Sequence, residues 1–306
     1  MWCPRALDHS LEGSALDEYA FGFEQERKYP LVVGANALGS NPSSRKNEML
    51  YTIAARELKP TPAGRALLDT FAAIRIINLK SRKDRRREVA SEFARLGLTI
   101  DGRKIGFHTA SRFDCAHPFP TVGAKGCFHS HLAVLEEAKL NSFENVLILE
   151  DDCDFIGSIE GALAYALNAL REKDWEFFFG GHEELACDES HPEPIQRIRP
   201  GSWVRGTHFV AIQRKSIERI VPFLHDEVEQ LAIDPIGGSR GIDAAYCHFG
   251  ERFSDLHYFA AWPKLGYQRP SRTDISNPSV FDRLPIMNLL IVPARRLKRY
   301  LKKNAS

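Results

Sequence analysis

The feature that most constrains this 306-residue chain is the stretch 145–155, NVLILEDDCDF, in which an apolar run halts in a knot of carboxylates. Val146, Leu147, Ile148 and Leu149 show no polar alternation, the pattern of a short strand covered on both faces within a parallel sheet. Glu150, Asp151, Asp152 and Asp154 follow at once. Like charges this dense repel one another unless a cation or a strong set of donors is at hand. Open α/β sheets bind ligands outside the carboxyl ends of their strands, so the position predicts a ligand crevice rather than a merely solvated acidic loop. Hard oxygen ligands select magnesium, manganese or calcium. A magnesium-like ion completes its shell with water and substrate phosphates, so the expected chemistry is phosphate-linked.

The flanking pattern builds a sheet around that strand. Residues 73–79, AIRIINL, read as a strand, followed by a helix with Ser81 as N-cap, Asp84 at its third position, and Val89, Phe93 and Leu96 at helical spacing. Arg82 and Arg85 then fall in the first turn, where the helix dipole disfavours cations by roughly 0.3–1 kcal/mol. A bound diphosphate would reverse that sign, because helix N-termini attract anions and guanidinium forks match phosphate oxygens. Arg86 and Arg87 read as solvated. A second strand, KIGFHTA, leads through a Pro- and Gly-rich loop into the helix GCFHSHLAVLEEAKL, with Phe128, Leu132 and Leu135 facing the core. His129 and His131 are two apart and cannot share a helix face, and His131 reads as a hydrogen-bonded core histidine. Beyond the acids come the helix SIEGALAYALNAL, the strand DWEFFFGG delivering Glu183 and Glu184 at its end, a strand over 203–213, the helix KSIERIVPFL, the turn GGSRGID with Asp243, and the strand DLHYFAAWP. This alternation predicts a mixed α/β fold with a mostly parallel sheet flanked by helices.

Composition narrows the partners. The 41 Lys and Arg nearly cancel the 40 Asp and Glu, and no basic patch with interleaved aromatics appears, so nucleic acid is not an expected partner. The six cysteines are scattered with no CxxC pair, which suits a reduced compartment, and Cys153 among acids reads as packing. No stretch resembles a signal peptide or approaches the roughly 20 apolar residues of a membrane span, so a cytoplasmic protein is expected. Residues 1–70 gather Pro, Gly, Ser and Asn and are expected to form an arm, partly disordered; Gly34 and Gly39 have P-loop spacing without the Lys-Ser/Thr that a phosphate cradle needs. Residues 71–280 are expected to be the folded domain, and 281–306 a basic tail. There ARRLKRYLKK alternates basic residues with Leu297, Tyr300 and Leu301, a composition suited to peripheral contact with the inner face of a membrane.

INLKSRKDRR, then GAKGCFHSH, then ILEDDCDF, with GTHFVAI and GID downstream, together resemble glycosyltransferase family 25, the lipooligosaccharide and procollagen galactosyltransferase family, over roughly residues 73–275. The resemblance implies a GT-A type fold for nucleotide-diphosphate sugars, UDP-galactose as a typical donor, and inversion at the anomeric carbon. It implies that Asn78, Arg82 and Arg85 border the nucleotide, that His131 closes the same pocket, and that Asp151, Asp152 and Asp154 handle ribose and metal. Asp243 matches the family's acid in the acceptor half. Cys153 and Asp154 depart from the hydrophobic or basic residues often found there and create a literal DxD. The division of labour among the three aspartates stays open; Asp151 is assigned to the nucleotide sugar, Asp152 and Asp154 to the metal.

Elementary chemistry agrees. Manganese or magnesium bridging the diphosphate would neutralise charge on the departing nucleotide. Inverting transfer to a glycan hydroxyl, on lipopolysaccharide or another surface glycan, also needs a carboxylate near that hydroxyl. Asp243 is the expected base, with Glu183 in reserve, although capping its helix would also explain Asp243. His208 and Trp203 are candidates for the acceptor side. Two other readings compete: a magnesium-dependent phosphohydrolase with an aspartate nucleophile, for which Lys125 is the available lysine, and a non-catalytic sugar-nucleotide-binding module.

Overall fold

The computed structural model describes residues 58–183, 185, 193–234 and 241–269. Most of the expected N-terminal arm, and the basic tail with its membrane contact, lie outside the described residues. Among those described, no helix is long and apolar enough to cross a membrane.

Nine strands alternate with six helices among the described residues: α1 Pro62–Thr70, β1 Ala73–Asn78, α2 Lys83–Arg95, β2 Ile105–Thr109, α3 Val122–Leu140, β3 Asn145–Glu150, β4 Cys153–Phe155, α4 Ile159–Arg171, β5 Phe177–Gly181, β6 Ile195–Ile198, β7 Phe209–Gln213, α5 Arg214–Ile233, α6 Ile242–Arg252, β8 Tyr258–Ala261 and β9 Gly266–Gln268. Seven of the strands form one sheet in the order β2-β1-β3-β7-β5-β8-β6, while β4 and β9 pair apart from it. β1 is parallel to both neighbours, with Ile74 opposite Ile105 and Leu147. β7 runs antiparallel to β3 and β5, and β6 antiparallel to β8, so five of the seven strands point one way. β7 is reversed because its chain enters from the carboxyl end of β3: the amide of Glu150 donates to the carbonyl of His208, 3.1 Å away.

The unbroken apolar run of β3 follows from helices on both faces. Ile74, Ile76, Leu147 and Leu149 pack against α1, α2 and α4, while Ala73, Ile77, Val146 and Ile148 pack against α3, α5 and α6. Alternate side chains thus enter different cores, and neither face can be polar.

Three local expectations change. The domain begins before residue 71, because α1 is capped by Thr61, whose hydroxyl accepts from Gly64 N at 3.1 Å, and buries Ala63 and Leu67. Helix α2 starts after Ser81: a turn closed by Arg82 N to Leu79 O, 2.8 Å, makes Arg82 the N-cap, with no side-chain cap bond. The strand expected over 203–213 shortens to β7, leaving Trp203 exposed in the preceding loop.

Candidate functional site

A cleft of about 850 Å3 opens at the carboxyl ends of β1 and β3, with Asn78, Arg82, Arg85, Glu150, Asp151 and Asp152 on its wall. β1 delivers Asn78, the start of α2 delivers the arginines, and β3 delivers the acids. Both oxygens of Asp151 are engaged: one accepts from Asn78 Nδ2 at 2.6 Å, the other from Arg85 Nη1. The same guanidinium nitrogen lies 3.4 Å from Asp152 Oδ2. Asn78 is oriented in turn by Arg86, whose Nε donates to its Oδ1 at 2.6 Å while the guanidinium lies 4.8 Å from the centre of the Phe107 ring. Arg86 therefore supports the site rather than being merely solvated. Arg82 pairs with Asp84, 2.9 Å away, and that bond holds the Asp84 carboxyl down at about 2.

Asp152 is the opposite case to Asp151. Burial, then repulsion from Glu150, pushes its pKa up to about 7 against the pull of Arg85. Its Oδ1 is buried without a hydrogen-bond partner. A carboxylate facing a cleft, short of positive charge and with a lone oxygen, fits a hard divalent cation that shares its shell with phosphate oxygens.

Asp154, the other expected metal ligand, does not join it. It is fully buried on β4, where Arg269 donates to its Oδ1 through Nε at 3.0 Å and Nη2 at 2.6 Å. Arg269 also pairs with Glu88, and its backbone amide donates to the carbonyl of Asp152 at 2.7 Å. Pairing of β4 with β9 thus turns Asp154 into a structural anchor for the loop that presents Asp152.

The remaining expected residues stand off the cleft wall. His131 is fully buried behind it, with Nδ1 3.0 Å from the hydroxyl of Tyr246 and Nε2 3.7 Å from Glu150. Asp243, half-buried in the first turn of α6, does not cap that helix; it accepts from Gly206 N at 2.9 Å and lies 3.2 Å from Thr207 Oγ1. Thr207 also lies 3.1 Å from Glu150 Oε1. A hydroxyl has one proton to give, so Thr207 donates to one of the two carboxyls at a time. Burial, the largest influence on each, raises Asp243, whereas on Glu150 the pull of His131, His208 and Thr207 outweighs it and leaves that carboxyl below its usual range. Glu183 donates its amide to Arg205 O at 2.7 Å. His208 is fully buried with Nε2 3.3 Å from Gly266 O, a packing residue rather than an acceptor contact. Lys125 donates to His117 O at 2.8 Å and lies 4.6 Å from the centre of the Phe113 ring, so it does not serve the acids as an aspartyl-phosphate enzyme would need.

Residues 71–191 match the family model described as glycosyltransferase family 25, LPS biosynthesis protein. Over that segment the chain is similar to glycosyltransferase family 25. An Aedes aegypti protein named glycosyltransferase 25 family member is 32% identical to it over 177 residues, covering 49% of this chain and 29% of that protein. Procollagen galactosyltransferase 2 of Mus musculus is 25% identical over 226 residues, covering 64% of this chain and 35% of that protein. The chain therefore spans about a third or less of the length of the curated relatives it matches. A solved structure described as a glycosyltransferase involved in the glycosylation of the major capsid of PBCV-1 aligns with a TM-score of 0.41 and 12% identity, over 66% of this chain and 94% of that one.

Within the matched segment, GAKGCFHSH acquires a physical meaning that the sequence pattern did not disclose. A Cβ on Gly126 would meet the carbonyl oxygen of Ser111 at 2.8 Å, so only glycine lets the loop after β2 lie this close to α3. Ser130 clamps that loop, accepting from Ser111 N at 2.8 Å and donating to Gly126 O at 2.5 Å. Between them Cys127 faces the cleft, four residues before His131. The i, i+4 spacing of Cys127 and His131 is the legible signal, and the pairing of His129 with His131 obscures it.

Proposed function

We propose that this domain transfers a hexose, galactose from UDP-galactose, to a hydroxyl of a glycan acceptor with inversion. The observation that carries the reading is the juxtaposition, in one cleft at the strand ends, of two arginines with an undercompensated carboxylate. A metal-bound sugar diphosphate asks for both signs of charge side by side. The family 25 match supports sugar transfer, and the name of the mouse relative supports galactose as the sugar. The phrase LPS biosynthesis in the family's description supports a surface glycan as acceptor.

In this mechanism Arg82 and Arg85 bind the diphosphate, and Asn78 with Asp151 fixes Arg85 and meets the ribose side of the donor. Asp152 holds a manganese or magnesium ion, with Glu150 beside it; when bound, the ion supplies charge neutralisation for the departing nucleotide. Asp243 takes the proton of the acceptor hydroxyl as that oxygen attacks opposite the leaving diphosphate. Its raised pKa makes it a better base than an ordinary aspartate.

The test is a panel of UDP-sugars with manganese, read by donor hydrolysis and thermal stabilisation. UDP-galactose should stabilise the wild type and be turned over, and Asp152→Asn should lose most of both responses. Asp243→Asn should slow transfer while sparing UDP affinity. No response of the wild type to any UDP-sugar would end this reading, and unchanged turnover in Asp243→Asn would remove that residue from the role.

A further inference from the structure

Cys127 and His131 lie one turn apart on α3, so both side chains leave the same helix face. That face meets the end of β3, where Glu150 projects. Cys127 Sγ is 4.0 Å and His131 Nε2 3.7 Å from the same oxygen of Glu150, and the three atoms all lie within 4.8 Å of one another. The helix cannot turn this face elsewhere, because Phe128 and Leu132 on the adjoining face are locked in the core.

Two of the three side chains have a second support behind them. The Nδ1 of His131 is anchored 3.0 Å from the hydroxyl of Tyr246, a buried residue whose ring packs edge-on against Phe177 at 5.8 Å. Glu150 is oriented by Thr207, 3.1 Å away. Yet His131 Nε2, fully buried and aimed at the thiol and the carboxylate, has no hydrogen-bond partner. Buried polar atoms are almost always satisfied. An imidazole with its far nitrogen anchored and its near nitrogen left open is what a metal-ligating histidine with outer-sphere support looks like. The charge balance points the same way: among the described residues Glu150 has no ion-pair partner but His131.

We propose that Cys127, His131 and Glu150 form a mononuclear site for a zinc-type cation, with its fourth position opening on the cleft. A sulfur, nitrogen and oxygen donor set selects a borderline ion such as zinc over magnesium or manganese, which suits Asp152 instead. Tetrahedral zinc places such ligand atoms roughly 3.3–3.6 Å apart, so the three groups close on the ion by shifts on the order of 0.5–1 Å. Cys127 and Glu150 line the cleft wall, so the open position faces a water or a substrate oxygen. Binding expels the thiol proton, because only the thiolate ligates. The site is independent of which sugar the domain transfers, or whether it transfers one.

The test uses the purified 306-residue chain with zinc or cobalt(II). One equivalent of zinc should survive gel filtration, and cobalt should give a thiolate-to-metal charge-transfer band. Cys127→Ser and His131→Gln should lose the band and bind at least tenfold more weakly, whereas Cys115→Ser, which alters an exposed thiol elsewhere, should keep both. Tyr246→Phe, which removes only the outer-sphere hydroxyl, should weaken binding by about 10–100-fold. In wild-type protein, zinc should protect Cys127 from alkylation mapped by mass spectrometry, a readout that does not depend on any variant folding. Cobalt bound without a thiolate band, alkylation of Cys127 indifferent to zinc, or zinc retained by Cys127→Ser but lost on Asp152→Asn would each overturn the proposal.

Discussion

Asp152 and Asp154 stand two residues apart and have opposite fates. Asp154 is enclosed with Arg269 and turned away from the cleft, while Asp152 faces the cleft and shares Arg85 with Asp151 at the longer distance of 3.4 Å. The difference teaches that a buried carboxylate gripped by two nitrogens of one guanidinium belongs to the scaffold, and one left short of charge belongs to the ligand. The raised pKa of Asp152 is the electrostatic trace of that shortfall.

The largest effect should come from breaking the matched side. Arg269→Met strands a buried charge and should cost about 3–5 kcal/mol in denaturant unfolding, while the double replacement Asp154→Leu, Arg269→Met should regain most of it. A single-variant loss below about 1 kcal/mol would erase the contrast between the two aspartates. Removing the shared partner should hurt less: Arg85→Ala should cost about 2 kcal/mol, because Asp152 can relieve the repulsion by keeping its proton. The same variant should lose UDP-sugar-induced stabilisation, measured by thermal shift.

A pH series sharpens the comparison further. Folded Asp152 keeps its proton to about pH 7, whereas the unfolded chain releases it near the ordinary value of 3.8. Between those values the native state binds more protons, so the contribution of Asp152 to stability falls as pH rises through that window. In chelator, Asp152→Asn should gain steadily on the wild type in unfolding free energy from pH 4 to pH 8. A constant difference across that range would mean the carboxyl is not strained. The smallest effect belongs to the exposed pair of Arg82 with Asp84: Asp84→Ala should shift stability by less than about 0.5 kcal/mol despite the low pKa, since solvent screens it.

How much of this was legible depended on range. The strand ending in acids, the helix bearing Arg82 and Arg85, and their meeting at a crevice could be read because apolar runs and helical spacing are local signals. The fate of Asp154 could not, because its partner Arg269 lies 115 residues later and β4 pairs with β9 only once the sheet is closed. Arg86 was obscured for a related reason: within an arginine run, only the neighbouring strand decides which guanidinium finds Asn78. The helix α1 carried a readable signal in Thr61 followed by Pro62, a cap and a first-turn proline, but its surroundings of Pro and Gly outweighed it. Strand direction is the remaining gap. β7 has the composition of any buried strand, and nothing within it says that it runs against β3.

The pairing of β4 with β9 also bears on the order in which the protein becomes competent. A ribosome that has released residues up to 264 has already made every acid and every arginine of the cleft and the whole seven-stranded sheet. It has not yet made the strand and the guanidinium that clamp the acidic loop. The nascent domain can thus settle its hydrophobic cores first and acquire a set binding surface only with its closing stitch.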